Sequence, residues 1–223
     1  MTASRRRPAA AAHRGGRALR TGRRAGDSGT REAILQAARE QFAERGYEGG
    51  TIRAIAAAAG VDPALVHHFY GTKEGLFAAA MQLPFVPSEA ITAALAKRPA
   101  GQPAGAHLVR TALALWDSPG VRDAFVGILR SALTSDQAAT MLREFVSQAI
   151  LAPVASLAAG TDPEQIPFRT SLVGSHMLGL ALARYIVQLP AVATADADAL
   201  AGAIGPTIDR YLTGDIEAGP AGR

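Results

Sequence analysis

The 223-residue chain has no cysteine, which excludes disulfides, thiol redox sensing and thiolate metal sites. No apolar run approaches the roughly 18 residues needed to span a bilayer, so no membrane partner is expected. Aromatics make up only 5% although hydrophobic residues reach 48%; Ala, Leu and Ile fill the apolar positions, a choice that favours helices. Strand-like alternation is missing, and lysine occurs only at Lys73 and Lys97. There is no Gly-rich phosphate loop, no H-E-x-x-H, no G-x-S-x-G and no pair of acids at catalytic spacing. An enzyme is therefore not expected, nor a catalytic residue or a cofactor.

Acidic charge is scarce at one end. From Met1 to Gly29 there are eight arginines and a single acid, Asp27, a local charge of +7 within a chain of +4. This stretch is rich in Arg, Ala, Gly and Ser with no apolar period, the composition of a disordered arm. PAAAAH is too short and too weakly apolar for the core of a signal peptide. An organelle transit peptide shares the Arg-rich, acid-poor composition, whereas a basic arm would neutralise phosphates or lay arginines in a minor groove.

What is present is most informative between Thr51 and Phe77, TIRAIAAAAGVDPALVHHFYGTKEGLF. Thr51 is an N-cap residue. Ile52, Ile55, Ala56 and Ala59 set an apolar stripe at the helical period behind it. Gly60 stands where that helix must stop, and Asp62-Pro63 caps and opens the next. Two short helices around a glycine turn form a helix-turn-helix, which places its second helix in a DNA major groove. Upstream, Thr30–Gly46 reads as a helix burying Ile34, Leu35, Ala38 and Phe42; downstream, Thr72 caps a helix reaching about Gln82, before Leu83-Pro84 and Pro87 interrupt the pattern.

The stretch Thr30–Met81 resembles the DNA-binding domain of the tetracycline-repressor (TetR) family of bacterial transcriptional regulators. The likeness rests on Phe42 with Gly46-Tyr47, Thr51-Ile52-Arg53, Ala59-Gly60-Val61, Phe69-Tyr70 and Lys73-Glu74-Gly75-Leu76-Phe77. The chain departs from the common pattern at Val66-His67-His68, on the reading surface, which bears on the operator sequence rather than on the fold. The resemblance implies double-stranded DNA as partner. The reading face would comprise Pro63, Ala64, Leu65, His67 and His68, with Arg53 reaching from the preceding helix. Leu65 could meet a thymine methyl, and a histidine a guanine edge or a phosphate. Thr51, Tyr47, Tyr70 and Lys73 match phosphate-clamping positions, Tyr47 having a rival role in packing the first helix on the fourth. Adjacent histidines diverge by about 100 degrees on a helix, so metal is not expected here.

Beyond the seam, helices are expected at 88–97, 106–117, 121–133, 136–157, 164–188 and 196–212. Ser171, Ser175, Gly179 and Ala183 recur every fourth residue, a stripe that lets another backbone approach closely. It could pack within its own subunit. The family builds its dimer from the last two helices, which implies a homodimer through this stripe and Leu200, Ile204, Ile208 and Leu212. The family also binds a small-molecule effector among its C-terminal helices. Phe85, Trp116, Phe125, Leu129, Met141, Phe145 and His176 are candidates to line that pocket, or plain core; Arg130 and Arg184 are further polar anchors.

The expected architecture is all-α: a basic arm over 1–29, a three-helix helix-turn-helix domain over 30–82, a helical effector-binding and dimerisation domain over 83–215 and a tail over 216–223. The resemblance implies a ligand-responsive repressor of bacterial cytoplasm, bound at the nucleoid to a palindromic operator. The helix 72–82 would be its lever across the Leu83–Pro87 seam. A sequence-tolerant architectural DNA binder driven by the arginine arm is the alternative.

Overall fold

The computed structural model describes residues 23–216, in which all regular structure is helical. Met1–Gly22, most of the expected arm, and the end of the tail lie outside the described residues. The first helix, α1, spans Arg23–Gly49, starting before the expected Thr30. Its regular path is broken at Gly46, where φ 75° and ψ 177° suit only glycine. Then follow α2 (Ile52–Ala59), α3 (Pro63–Tyr70) and α4 (Lys73–Ala80). Thr51, Asp62 and Thr72 cap them, each side chain accepting a backbone N–H of the first turn. Gly60 ends α2 in the left-handed conformation at φ 68°, ψ 32°.

The C-terminal part continues with α5 (Pro87–Ala96), α6 (Ala104–Trp116), α7 (Val121–Thr134) and α8 (Asp136–Phe145). A π-helical turn, Val146–Leu151, carries α8 into the short α9 (Ala152–Ala155). Next come α10 (Ile166–Ala181), itself extended by a π-helical turn over Leu182–Ile186, then the short α11 (Pro190–Ala193) and α12 (Ala197–Thr213). The expected single helices over 136–157 and 164–188 are thus rods containing wide turns, which periodicity does not register. Gln82 and Gln188 take positive φ (60° and 56°) beyond α4 and the α10 rod, ending helices without glycine.

Three apolar clusters organise the described residues. The first joins Ile34, Ala38 and Phe42 of α1, Ile55 and Ala56 of α2, Val66 of α3, and Leu76 and Phe77 of α4. Two residues from the C-terminal half complete it, Phe145 and Ala149. The Phe77 ring lies 5.1 Å from Phe42, 5.0 Å from Tyr47 and 4.4 Å from Phe145. The second cluster packs Leu108, Val109 and Leu113 of α6 on Leu200, Ala201, Ile208 and Leu212 of α12. The third gathers Leu129, Ala181 and Tyr185 under Trp116 and Phe125.

The α6–α12 contact is so close that both helices present glycine at the crossing. A Cβ at Gly105 would collide with the Gly205 carbonyl oxygen, and one at Gly205 would lie 2.7 Å from the Ala106 nitrogen. Gly105→Ala is therefore expected to destabilise the fold by about 1–3 kcal/mol through overpacking. Gly127 lies in α7 with open space where its Cβ would be. Gly127→Ala should stabilise by about 0.4–1 kcal/mol, through helix propensity and the unfolded chain. Urea unfolding of both variants checks this; equal shifts would show that the crossing tolerates a methyl group.

Candidate nucleic-acid interface

Burial sorts the residues of α3 by face. Val66 is fully buried and Phe69 packs on the first cluster, anchoring one side of the helix. Ala64, His67 and His68 are exposed on the other, flanked by half-buried Pro63 and Leu65. Arg53 and Thr51 are exposed on and before α2. The Thr51 Oγ accepts the Ala54 N–H at 3.2 Å, which leaves its own hydroxyl proton free for a phosphate. The arrangement presents a short helix face rimmed by one guanidinium, one hydroxyl and two imidazoles.

Several expected contact groups have structural duties as well. His67 Nδ1 lies 2.9 Å from the Gly71 carbonyl, so that nitrogen donates to the end of its own helix and only Nε2 is left to face outward. Tyr70 donates its hydroxyl to the Arg31 carbonyl at 3.1 Å, and the Arg31 guanidinium lies 4.7 Å over the Phe69 ring. These contacts clamp α1 at Arg31 to the end of α3. Burial, the largest effect, raises the Tyr70 phenol above its ordinary value. Lys73 donates to the Glu48 carbonyl at 2.8 Å with its ammonium 4.9 Å from the Tyr47 ring. Desolvation lowers the Lys73 ammonium, against the pull of the Glu48 and Glu144 carboxylates. One of its three donors is thus engaged internally. Tyr47 is 4% exposed and its phenol is pushed up to about 12 by burial, with the Glu74 carboxylate adding. The packing role is the one its surroundings allow, and Tyr47 is not a surface clamp.

The effector candidates are spread over several parts of the fold, three of them in one cluster. Phe145 and Met141 belong to the cluster of the N-terminal helices. Trp116, Phe125 and Leu129 sit in the third cluster, with Trp116 stacked on Phe125 at 5.1 Å. Phe85 is half-buried in the α4–α5 connection. His176 lies 6.0 Å from the Tyr211 ring and lines a groove of about 370 Å³ with Gly179, Ala183 and Ile204. Arg184 is spent on the Val192 and Ala195 carbonyls at 2.8 and 2.9 Å, and Arg130 is exposed. Large apolar residues serve core and pocket alike, so residue type could not separate them.

The residues expected at a dimer interface divide by helix. Ser171, Ser175 and Gly179 are exposed along α10, with Ala183 half-buried behind them. On α12 the expectation is corrected at Ile208 and Leu212, which are 0% and 1% exposed and packed in their own subunit, whereas Leu200, 8% exposed, also lines the groove beside Gly179 and Ala183. Ile204 is half-buried. The outward face of α12 is instead Ala199, Gly202, Ala203 and Pro206. The hidden cause is the Gly105–Gly205 crossing, which turns the larger apolar face of α12 inward.

Residues that sequence reasoning missed lie at the corner joining α1 to α2. Glu144 and Gln148 reach it from α8 and its π-helical turn, accepting from and donating to Glu48 across 96 and 100 residues of sequence. No local pattern signals a partner so distant. Among the described residues no group of three or more potential metal-binding side chains occurs, and no helix is long and apolar enough to cross a membrane.

Residues 34–80 match the model of bacterial regulatory proteins of the tetR family, and residues 102–212 match that of the tetracyclin repressor-like C-terminal domain. The HTH-type transcriptional repressor AcnR of Corynebacterium glutamicum is 47% identical over 57 residues, 25% of this chain and 30% of that protein. The regulatory protein RaaS of Mycobacterium tuberculosis is 51% identical over 53 residues, 24% of each. The chain thus spans about three-tenths or less of the length of these curated relatives. A TetR-family regulator from Streptomyces coelicolor is 39% identical, the match covering 86% of this chain and 98% of that one, with a TM-score of 0.44.

Thr51→Ala should cost about 1 kcal/mol, because the Ala54 N–H loses its acceptor. Arg53→Ala and His68→Ala, both at exposed positions, should stay within about 0.5 kcal/mol of the parent. Thermal unfolding of the three variants compares them, and a large loss for Arg53→Ala would place that side chain in the scaffold.

Proposed function

The chain belongs to the tetracycline-repressor family of DNA-binding transcriptional regulators, and on that premise we propose that it is a ligand-responsive repressor that binds a palindromic operator as a homodimer. The observation that carries the reading is the exposed face of α3, Ala64, His67 and His68, held rigid by caps at both ends. Arg53 extends this face toward a base edge or phosphate, and Thr51 and Lys73 supply backbone contacts with the donors their internal bonds leave free, whereas Tyr70 would have to exchange its bond to the Arg31 carbonyl for one to a phosphate. The arginines of Met1–Gly22 add a sequence-independent attraction for phosphates.

The homodimer reading rests on α10. Phe168 and Leu178 are 47% and 42% exposed on the same helix face as Ser171, Ser175 and Gly179. Large apolar groups beside small ones make a surface that a second helix can cover closely. Two copies joined there would carry two α3 helices, which must lie about 34–36 Å apart, or a multiple of it, to enter successive major grooves. An effector favouring another spacing would shift the population toward the DNA-free form. Its place is proposed near the third cluster, where Trp116 and Phe125 meet Tyr185, whose hydroxyl donates to the Asp117 carboxylate.

Selection from randomised DNA should return a palindrome for the parent protein. Arg53→Ala and His68→Ala should relax it at particular base pairs, each by about 1–3 kcal/mol of discrimination. If both variants enrich the parent's sequence unchanged, the assignment of the reading face is wrong.

A Cβ at Gly179 meets nothing within 4 Å in the isolated chain, so Gly179→Leu should leave the subunit folded. It should abolish the dimer, since a branched side chain would be inserted twice across the twofold interface. Sedimentation should show a folded monomer at micromolar concentration. A dimer of parental stability would move the interface elsewhere.

A further inference from the structure

Glu48 is held from two sides by parts of the molecule far apart in sequence. The turn at Gly46 points the Glu48 N–H at the Glu144 carboxylate, which accepts it at 2.9 Å. A Cβ at Gly46 would stand 2.8 Å from that same carboxylate, which would have to shift to admit it. Gln148, one helical turn further on, donates to the Glu48 carboxylate at 2.7 Å. On the opposite side Lys73 of α4 donates to the Glu48 carbonyl at 2.8 Å. The backbone N–H, the carbonyl and the side chain of one residue are all engaged. Thr51, the cap of α2, follows three residues later.

The helix that supplies Glu144 has two loyalties. Met141 and Phe145 pack into the cluster of the N-terminal helices, while Leu142 packs with Trp116 and Phe125 in the third cluster. Gln148 lies within the π-helical turn, a form of helix that is rare and concentrated at functional sites. The α4–α5 seam is also bridged, through Glu74 accepting the Ser88 N–H at 2.8 Å and its hydroxyl at 2.6 Å. That bridge joins α4 to α5; the α8 bridge reaches the corner from which the reading unit hangs.

We propose that Glu144 and Gln148 are positioning residues for DNA recognition: α8 sets the orientation of the α2–α3 unit by holding the Glu48 corner, and displacement of α8 releases it. The proposal rests on the reading of α3 as the recognition helix. Charge alone argues the other way, because deleting a carboxylate near the interface should strengthen binding to a polyanion. Positioning requires an acceptor for the Glu48 N–H and not a negative charge, so Glu144→Gln and Glu144→Ala separate the two.

The test uses the full chain and the DNA sequence that the parent enriches from a random pool. Glu144→Ala should weaken binding to that sequence about tenfold, which corresponds to about 1.4 kcal/mol. Its preferred sequence should be the parent's, since no reading residue is changed. Glu144→Gln should restore affinity to the parental level or above it. Glu48→Ala and Gln148→Ala should be non-additive in DNA affinity when combined, a coupling that a purely structural contact would register only in thermal unfolding. Undiminished affinity of Glu144→Ala, or additive effects of the other pair, overturns the proposal. A parent that enriches no sequence at all overturns the recognition reading and this proposal together.

Discussion

The Phe145 ring, set 4.4 Å from Phe77 and 5.4 Å from Tyr47, is the contact on which the organisation of this molecule turns. Of the N-terminal helices α2, α3 and α4 have only 8 residues each, and a unit of that size buries little apolar surface by itself. Phe42, Tyr47 and Phe77 form an aromatic group open on one side, and Phe145 with Ala149 closes it. The reading head and the C-terminal helices therefore share one core. A shift of α8 cannot leave the head's packing unchanged, because close-packed interiors transmit displacement rather than absorb it.

That shared core gives the polar contacts at the α1–α2 corner their significance. Hydrogen bonds to an exposed corner contribute modestly to stability, since water competes for the same groups. Their value is directional: the Glu144 carboxylate and the Lys73 ammonium approach Glu48 from different helices and fix where α2 starts. The clamp of Tyr70 on the Arg31 carbonyl fixes where α3 ends. Between these points α2 and α3 are joined by Gly60 and capped by Asp62, so the exposed face of α3 has little freedom of its own.

The C-terminal helices solve a different packing problem. Gly105 and Gly205 let α6 and α12 approach until backbone meets backbone, and this crossing consumes the larger apolar residues of α12. What remains outside is the small-residue face of α12 and, on α10, the row of Ser171, Ser175 and Gly179 flanked by Phe168 and Leu178. An apolar face of that kind, left uncovered in one subunit, is the surface on which the proposed homodimer rests.

The short-range features of this protein were legible in its sequence because their causes are local. Thr51, Gly60, Asp62 and Thr72 start and stop helices through bonds within four residues, so the helix-turn-helix followed from the residues alone. The same holds for the helical class and for most boundaries. Tertiary structure decided the rest. Phe145 and Trp116 are both aromatic residues on helices, yet one completes the reading head and the other the third cluster, a division set by crossings that periodicity does not encode. Ile208 turned inward because of a glycine pair 100 residues apart, and Glu144 met Glu48 across 96. Periodicity fixes which face of a helix is apolar, but only the crossing of two helices determines what that face meets.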